Sequence, residues 1–244
     1  MGVSELLLVR HGESEGNVAA ARALAAESHE IDVPARDPDV MLSPLGRQQA
    51  ASVGVALSAL PPDEAPQAVV CSPYARARET AQLACQSAGL VVPVLIDERL
   101  RDRELGVLDR LTQAGVAARF PEEAERRRWQ GKFYHRPAGG ESWVDVVLRL
   151  RSWLSDLDRE PPGSRVLVVS HDVVIALIRY VCERMDEDEV LCLARDTPVR
   201  NAALSRLVRQ DGDAWMAVTY DEVAHLRAAG LPVTEHRGER HVGS

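Results

Sequence analysis

The sequence predicts a three-layer α/β/α fold, a mostly parallel central sheet covered by helices on both faces. Two observations carry that expectation. Short apolar runs of strand length alternate with longer segments whose apolar residues recur at helical spacing. Several of the short runs also stop abruptly at a polar residue or a Gly, where the chain turns off the sheet. The 244 residues suit one large α/β domain or two small ones. No internal repeat and no long linker divides them, so residues 1–244 read as a single domain whose polar end, 235–244, is a flexible tail.

Taken in order, residues 5–9 form the first strand, the apolar run Leu6-Leu7-Leu8-Val9. Residues 25–40, rich in Pro, Asp and Glu, read as a surface loop near that strand's end. A helix spans 46–60, with Ala50, Val53, Ala56, Leu57 and Leu60 on one stripe and Pro61-Pro62 as its stop. Residues 67–71 are a second strand, and 76–88 a helix closed by Gly89. Residues 91–96 are a third strand, placed at a sheet edge by Pro93. A helix over 144–157 follows the Gly139-Gly140 turn, then come a strand at 165–169 and a helix at 173–182. Residues 203–208 and 215–219 read as two strands of a hairpin turning at Gln210-Asp211-Gly212-Asp213.

Composition narrows the function. Aromatics are scarce, so the core is aliphatic and base-stacking platforms are not expected. A net charge of −8 argues against nucleic-acid binding, which needs a basic surface. An anion site must here be a local pocket of Arg and His. Cys71, Cys85, Cys182 and Cys192 form no CxxC pair and match no zinc spacing, so they read as free thiols of a reducing cytoplasm. No apolar run is long enough for a membrane span.

The chemistry concentrates at strand ends. The first strand runs straight into Arg10-His11-Gly12-Glu13. An imidazole there can act as a nucleophile, and a guanidinium beside it can hold a phosphate. The tetrapeptide resembles the signature of the histidine phosphatase superfamily, the group containing the cofactor-dependent phosphoglycerate mutases. Four more stretches fit. Ser72-Pro73-Tyr74-Ala75-Arg76-Ala77-Arg78-Glu79-Thr80-Ala81 resembles the family's second arginine motif, which makes Arg76 a phosphate ligand. Val168-Val169-Ser170-His171-Asp172 resembles the second histidine motif, with Asp172 where Gly is usual; an Asp can cap the following helix. Leu100-Arg101-Asp102-Arg103-Glu104-Leu105-Gly106 is similar to the family's Leu-x-Glu-x-x-aromatic-Gly. It puts Asp102 on the acid position, with Glu104 as rival and Leu105 in place of the aromatic. Asn17 matches a position that often contacts phosphate or substrate, though Asn also caps helices. Leu42-Ser43-Pro44-Leu45-Gly46 and Gly139-Gly140-Glu141-Ser142 are also similar to family stretches, the latter equally a capped helix start.

The resemblance implies phosphoryl transfer through a phosphohistidine on His11, whose second ring nitrogen donates to a backbone carbonyl. Arg10, Arg76 and His171 bind the equatorial oxygens, and Asp102, held protonated, donates to the leaving oxygen. No metal and no cofactor is implied, because the arginines carry the charge. The expected partner is a small phosphorylated substrate, with no nucleic acid and no membrane; the oligomeric state stays open, a homodimer included. A phosphatase is expected ahead of a mutase, since Arg126-Arg127-Arg128 reads as well as a solvated helix face as a carboxylate-binding cluster. A non-catalytic phospholigand-binding member is the third possibility. Specificity is assigned to residues 25–40 and 120–136.

Overall fold

The first apolar run is buried on both faces because it becomes the middle of a sheet. β1 (Glu5–Arg10) pairs in parallel with β4 (Arg165–Ser170), which pairs in parallel with β2 (Ala68–Cys71). A computed structural model describes residues 2–33, 35–210 and 214–236 of the chain. β3 (Val94–Ile96) adds to β2 in parallel. β5 (Leu204–Arg209) lies antiparallel to β1, and β6 (Trp215–Glu222) antiparallel to β5. The six strands stand in the order β3-β2-β4-β1-β5-β6, so β5 alone runs against the rest.

Register decides where the chemistry gathers. Val9 and Cys71 both pair with Val169, and Arg10 pairs with Ser170. β1, β2 and β4 therefore finish side by side at one edge. The ladder continues a step further: the His11 N–H donates to the Ser170 carbonyl at 3.0 Å, and the Ser72 N–H to the Val169 carbonyl at 3.0 Å. His11, Ser72 and His171 thus leave the sheet together, as ligand-binding residues do in α/β folds.

The helices form the outer layers. α2 (Pro44–Ser58) packs against α3 (Ala75–Ala88), and α6 (Trp143–Arg159) against α7 (Asp172–Cys182). The core is aliphatic, with Leu6, Leu8, Leu167, Ile175 and Leu177 fully buried around Trp143. Gly89 closes α3 at φ 65°, the left-handed conformation a C-terminal glycine allows.

Among the described residues five helices have no periodic apolar pattern to announce them: α1 (Glu15–Ala25), α4 (Gln113–Arg119), α5 (Pro121–Tyr134), α8 (Glu187–Asp196) and α9 (Ala224–Ala228). Each buries one residue, such as Ala23 in α1, Phe133 in α5 and Val190 in α8. A helix with one core contact has no apolar stripe to read. Between α1 and α2 the chain is irregular apart from a 3-10 turn at Asp37–Asp39. β3 is shorter than its sequence suggests, starting after Pro93, and it does lie at the edge, where Val91 is 99% exposed. The hairpin turn read at Asp211-Gly212-Asp213 lies outside the described residues. So does most of the tail, but its first part is fastened: the His236 carbonyl accepts from Arg10 Nη2 at 2.9 Å. Among the described residues no helix is long and apolar enough to cross a membrane.

Candidate active site

His11 sits directly after β1, 3% exposed. Its Nδ1 lies 2.7 Å from the Gly12 carbonyl, so the proton belongs on Nδ1 and the lone pair on Nε2. Burial, followed by the charges of Arg76, His171 and Arg10, holds its pKa well below the ordinary imidazole value, against the raising effect of the Gly12 carbonyl. The ring is therefore neutral at physiological pH, as a nucleophile must be. Gly12 is required by packing: a Cβ there would collide with the Gly46 carbonyl, and a Cβ at Gly46 with the Glu13 carbonyl. The Gly12 N–H donates to Thr80 Oγ1 at 3.1 Å, which ties the loop to α3.

His171 packs edge-on to His11, ring centroids 5.1 Å apart, and is fully buried. Its Nε2 is 2.8 Å from the Ser72 hydroxyl. Its Nδ1 faces Asp102 Oδ2 at 3.3 Å without the alignment of a hydrogen bond. Burial lowers its pKa and Asp102 opposes that. Asp172 does not cap α7. His171 holds the N-cap position, and Asp172 is the first helical residue, its Oδ1 accepting from the Val173 N–H at 2.8 Å. A carboxylate in the first turn still favours the helix dipole.

Arg76 is the second residue of α3 and is buried. Its Nη2 is 3.1 Å from Asp102 Oδ2, and its Nη1 2.9 Å from Asp37 Oδ1. Tyr74 stacks on it, the ring centroid 4.9 Å from the guanidinium carbon. Arg10 is fixed by the Val199 and His236 carbonyls on its two Nη atoms, which leaves Nε buried and without a partner. Arg10, His11, Asn17, Asp37, Arg76, Asp102 and Glu104 all line one cleft of about 640 Å³.

Asp102 is not held protonated in this state. Burial disfavours its charge, but His171, Arg76 and the Arg103 N–H outweigh that and keep its pKa well below the carboxylate range. The sequence shows the carboxyl but not the arginine and the histidine that fold onto it. Glu104 lines the same cleft two residues on and accepts from the Tyr74 hydroxyl at 2.7 Å. Burial first, then Glu104, pushes the Tyr74 phenol well up, so it stays a donor. Asn17 is the third residue of α1 and completes its capping box with Ser14. Its Oδ1 accepts from the Ser14 N–H and from Asn201 Nδ2.

Several parts lay outside the sequence reading. Ser72, Tyr74, Asp37 and Asn201 each hold a site residue, and Asn201 Nδ2 also donates to the His11 carbonyl at 3.2 Å. Ser72 alone had a signal, its place directly after a strand beside the two histidine strands. The Gly139-Gly140-Glu141-Ser142 stretch is a helix start: Ser142 caps α6 with Asp145, while Glu141 accepts from Arg101 and Arg149. Arg126, Arg127 and Arg128 do not line the cleft; Arg126 lies 3.7 Å from Glu123 on its own helix. Among the described residues no group of three or more His, Cys, Asp or Glu is arranged to hold a metal ion.

Comparison with known proteins adds the relatives. The model of the histidine phosphatase superfamily (branch 1) matches residues 6–222. The chain is 28% identical over 231 residues to the "probable phosphoglycerate mutase GpmB" of Salmonella paratyphi C (strain RKS4594), covering 93% of this chain and 97% of that protein. It is 27% identical to the protein of the same name from Photorhabdus laumondii, with the same coverage. Among solved structures it is similar to a mycobacterial glucosyl-3-phosphoglycerate phosphatase in complex with VO3. That match has 26% identity and a TM-score of 0.68, and it covers 91% of this chain and all of that one. An alpha-ribazole phosphatase from Shigella flexneri shares the fold, with 19% identity, a TM-score of 0.72, and 89% and 96% coverage.

Proposed function

The chain belongs to the histidine phosphatase superfamily, branch 1, and from that premise we propose a phosphatase that hydrolyses small phosphate monoesters through a phosphohistidine on His11. One observation carries the reading: a neutral imidazole, its Nδ1 tied to a carbonyl, stands beside His171 and the buried guanidinium of Arg10, whose Nε has no partner. Buried donors without partners are costly unless a ligand takes them. Phosphoryl oxygens are such a ligand.

In the first step His11 Nε2 bonds to phosphorus and the bond from phosphorus to the ester oxygen breaks. Arg10, Arg76 and His171 hold the three equatorial oxygens, where the charge of the transition state lies. Asp102 gives its proton to the leaving oxygen. It must first acquire one. A phosphoryl dianion at Arg76 puts negative charge beside Asp102 and draws the guanidinium toward itself, which raises the Asp102 pKa. In the second step water attacks the phosphohistidine, its proton returns to Asp102, and phosphate leaves. Asn17 contacts the substrate from the cleft wall.

Arg76→Ala is expected to raise KM and lower kcat together, with a loss of about 100-fold or more in kcat/KM. Equal orthovanadate affinity in the variant and the parent would remove Arg76 from the site. Chelation with excess EDTA is expected to leave turnover unchanged; a loss that a divalent ion restores would contradict an arginine-only charge scheme. A mutase is the second reading, favoured by the GpmB relatives. Conversion of 3-phosphoglycerate with its bisphosphate primer tests it. Against it stands the placing of Arg126, Arg127 and Arg128 away from the cleft.

A further inference from the structure

The loop between α1 and α2 places a carboxylate where a phosphoryl group has to bind. Arg76 Nη1 donates to Asp37 Oδ1 at 2.9 Å and to the Asp37 carbonyl at 2.7 Å. Arg76 Nη2 donates to Asp37 Oδ2 at 3.3 Å. A guanidinium fork matches a carboxylate and a phosphate in the same two-point way, so the aspartate fills it as a phosphate would. Asp102 takes the remaining reach of Nη2. One cation thus meets two carboxylates, while His11, His171 and Arg10 stand close by. Of the two carboxylates Asp37 is the one free to leave: its side chain is 43% exposed, that of Asp102 26%. The aspartate is also carried by a three-residue 3-10 turn, Asp37–Asp39, rather than by a long packed helix.

We infer that Asp37 is a specificity-determining residue, an internal competitor that a phosphoryl dianion displaces from Arg76 and a monoanion does not. The inference rests on the reading that Arg76 binds the phosphoryl group. Its logic is charge exchange. Replacing a carboxylate on the guanidinium with a monoanion gains no charge. Replacing it with a dianionic tetrahedral group gains one unit, and a third oxygen then reaches Arg10 Nε. Phosphodiesters, sulfate monoesters and simple carboxylates lack that advantage. The same competition weakens the hold on inorganic phosphate, so the product is released against a group that is always present.

Asp37→Asn keeps the shape and removes the charge. Competitive inhibition of aryl phosphate hydrolysis is measured with orthovanadate, inorganic phosphate and dimethyl phosphate on parent and variant. Orthovanadate and phosphate are expected to inhibit the variant at concentrations about tenfold lower. Dimethyl phosphate, a monoanion without effect on the parent, is expected to become an inhibitor. Asp37→Glu, which restores the charge, is expected to restore the discrimination. If Asp37→Asn binds orthovanadate equally or more weakly, the inference is overturned and Asp37 serves only to hold Arg76 in place. Asp37→Ser repeats the test should the Asn variant not fold. Arg76→Ala in the same assay separates the two levels: weaker orthovanadate binding there keeps the phosphatase reading whatever Asp37 shows, and unchanged binding removes the premise itself.

Discussion

His11→Ala is expected to lower phosphate release by on the order of 10⁴-fold or more, with the fold intact. No second group can take over. The nitrogens of His171 face Ser72 and Asp102, and Nε2 of His236, which also lines the cleft, is 3.2 Å from Glu13 Oε2. The Cβ of Ala fits where that of His11 stood, and β1 is held by its ladders to β4 and β5, so the change acts on chemistry rather than stability. Rapid-quench experiments with labelled substrate measure this directly: the parent yields an acid-labile, base-stable phosphoenzyme, the variant none. Turnover by His11→Ala near the parent rate would exclude the covalent path.

Asp102→Asn has the second largest expected effect, and its size depends on the leaving group. An alkyl phosphate departs as a strongly basic alkoxide and needs the proton. A nitrophenolate leaves without help. The loss on alkyl esters is expected to be on the order of 100-fold or more, the usual reach of general acid catalysis, with a much smaller loss in the phosphorylation step on the aryl ester. Asn also removes the negative charge that faces Arg76 and His171, so orthovanadate binding to this variant is not expected to weaken. Single-turnover rates on both esters, with Glu104→Gln as the parallel case, decide between the carboxylates. A leaving-group-dependent loss in Glu104→Gln alone would transfer the role to Glu104, and its absence in both variants would place the acid elsewhere.

What was legible in the sequence follows burial. β1 and β4 are covered on both faces, so their residues read as unbroken apolar runs, and those runs point at the two histidines. α2, α3, α6 and α7 show an apolar stripe because they cover the sheet. α1 and α8 do not, each burying one residue, although Asp186 and Glu189 form a capping box that a search for caps would have found. In the site, the residues that announce themselves are those following strands. Asp37 does not, because it meets an arginine 39 positions away across an irregular loop, and no local pattern encodes that distance. The low pKa of Asp102 is hidden for the same reason: a sequence shows a carboxyl and its neighbours in the chain, not the arginine and the histidine that fold onto it. Arg126, Arg127 and Arg128 mislead in the opposite sense, a conspicuous cluster on a helix that turns it away from the cleft.

The contact between Gly12 and Gly46 has a consequence for how such an enzyme can change. With no side chain on either glycine, the backbone after β1 and the first turn of α2 touch, and the Ser43 hydroxyl locks onto Glu13 at 2.7 Å. The nucleophile's seat is therefore one fixture with the end of the loop that bears Asp37. The chain is pinned once more where the Ile31 N–H donates to the Arg110 carbonyl and the Thr112 N–H to the His29 carbonyl, so the part that can be lengthened, shortened or exchanged lies between Ile31 and Met41. Doubling such a loop costs only about 0.6 kcal/mol in closure entropy. The segment is a cassette: descent with modification, or a designer, can replace it and leave the seat of His11 untouched.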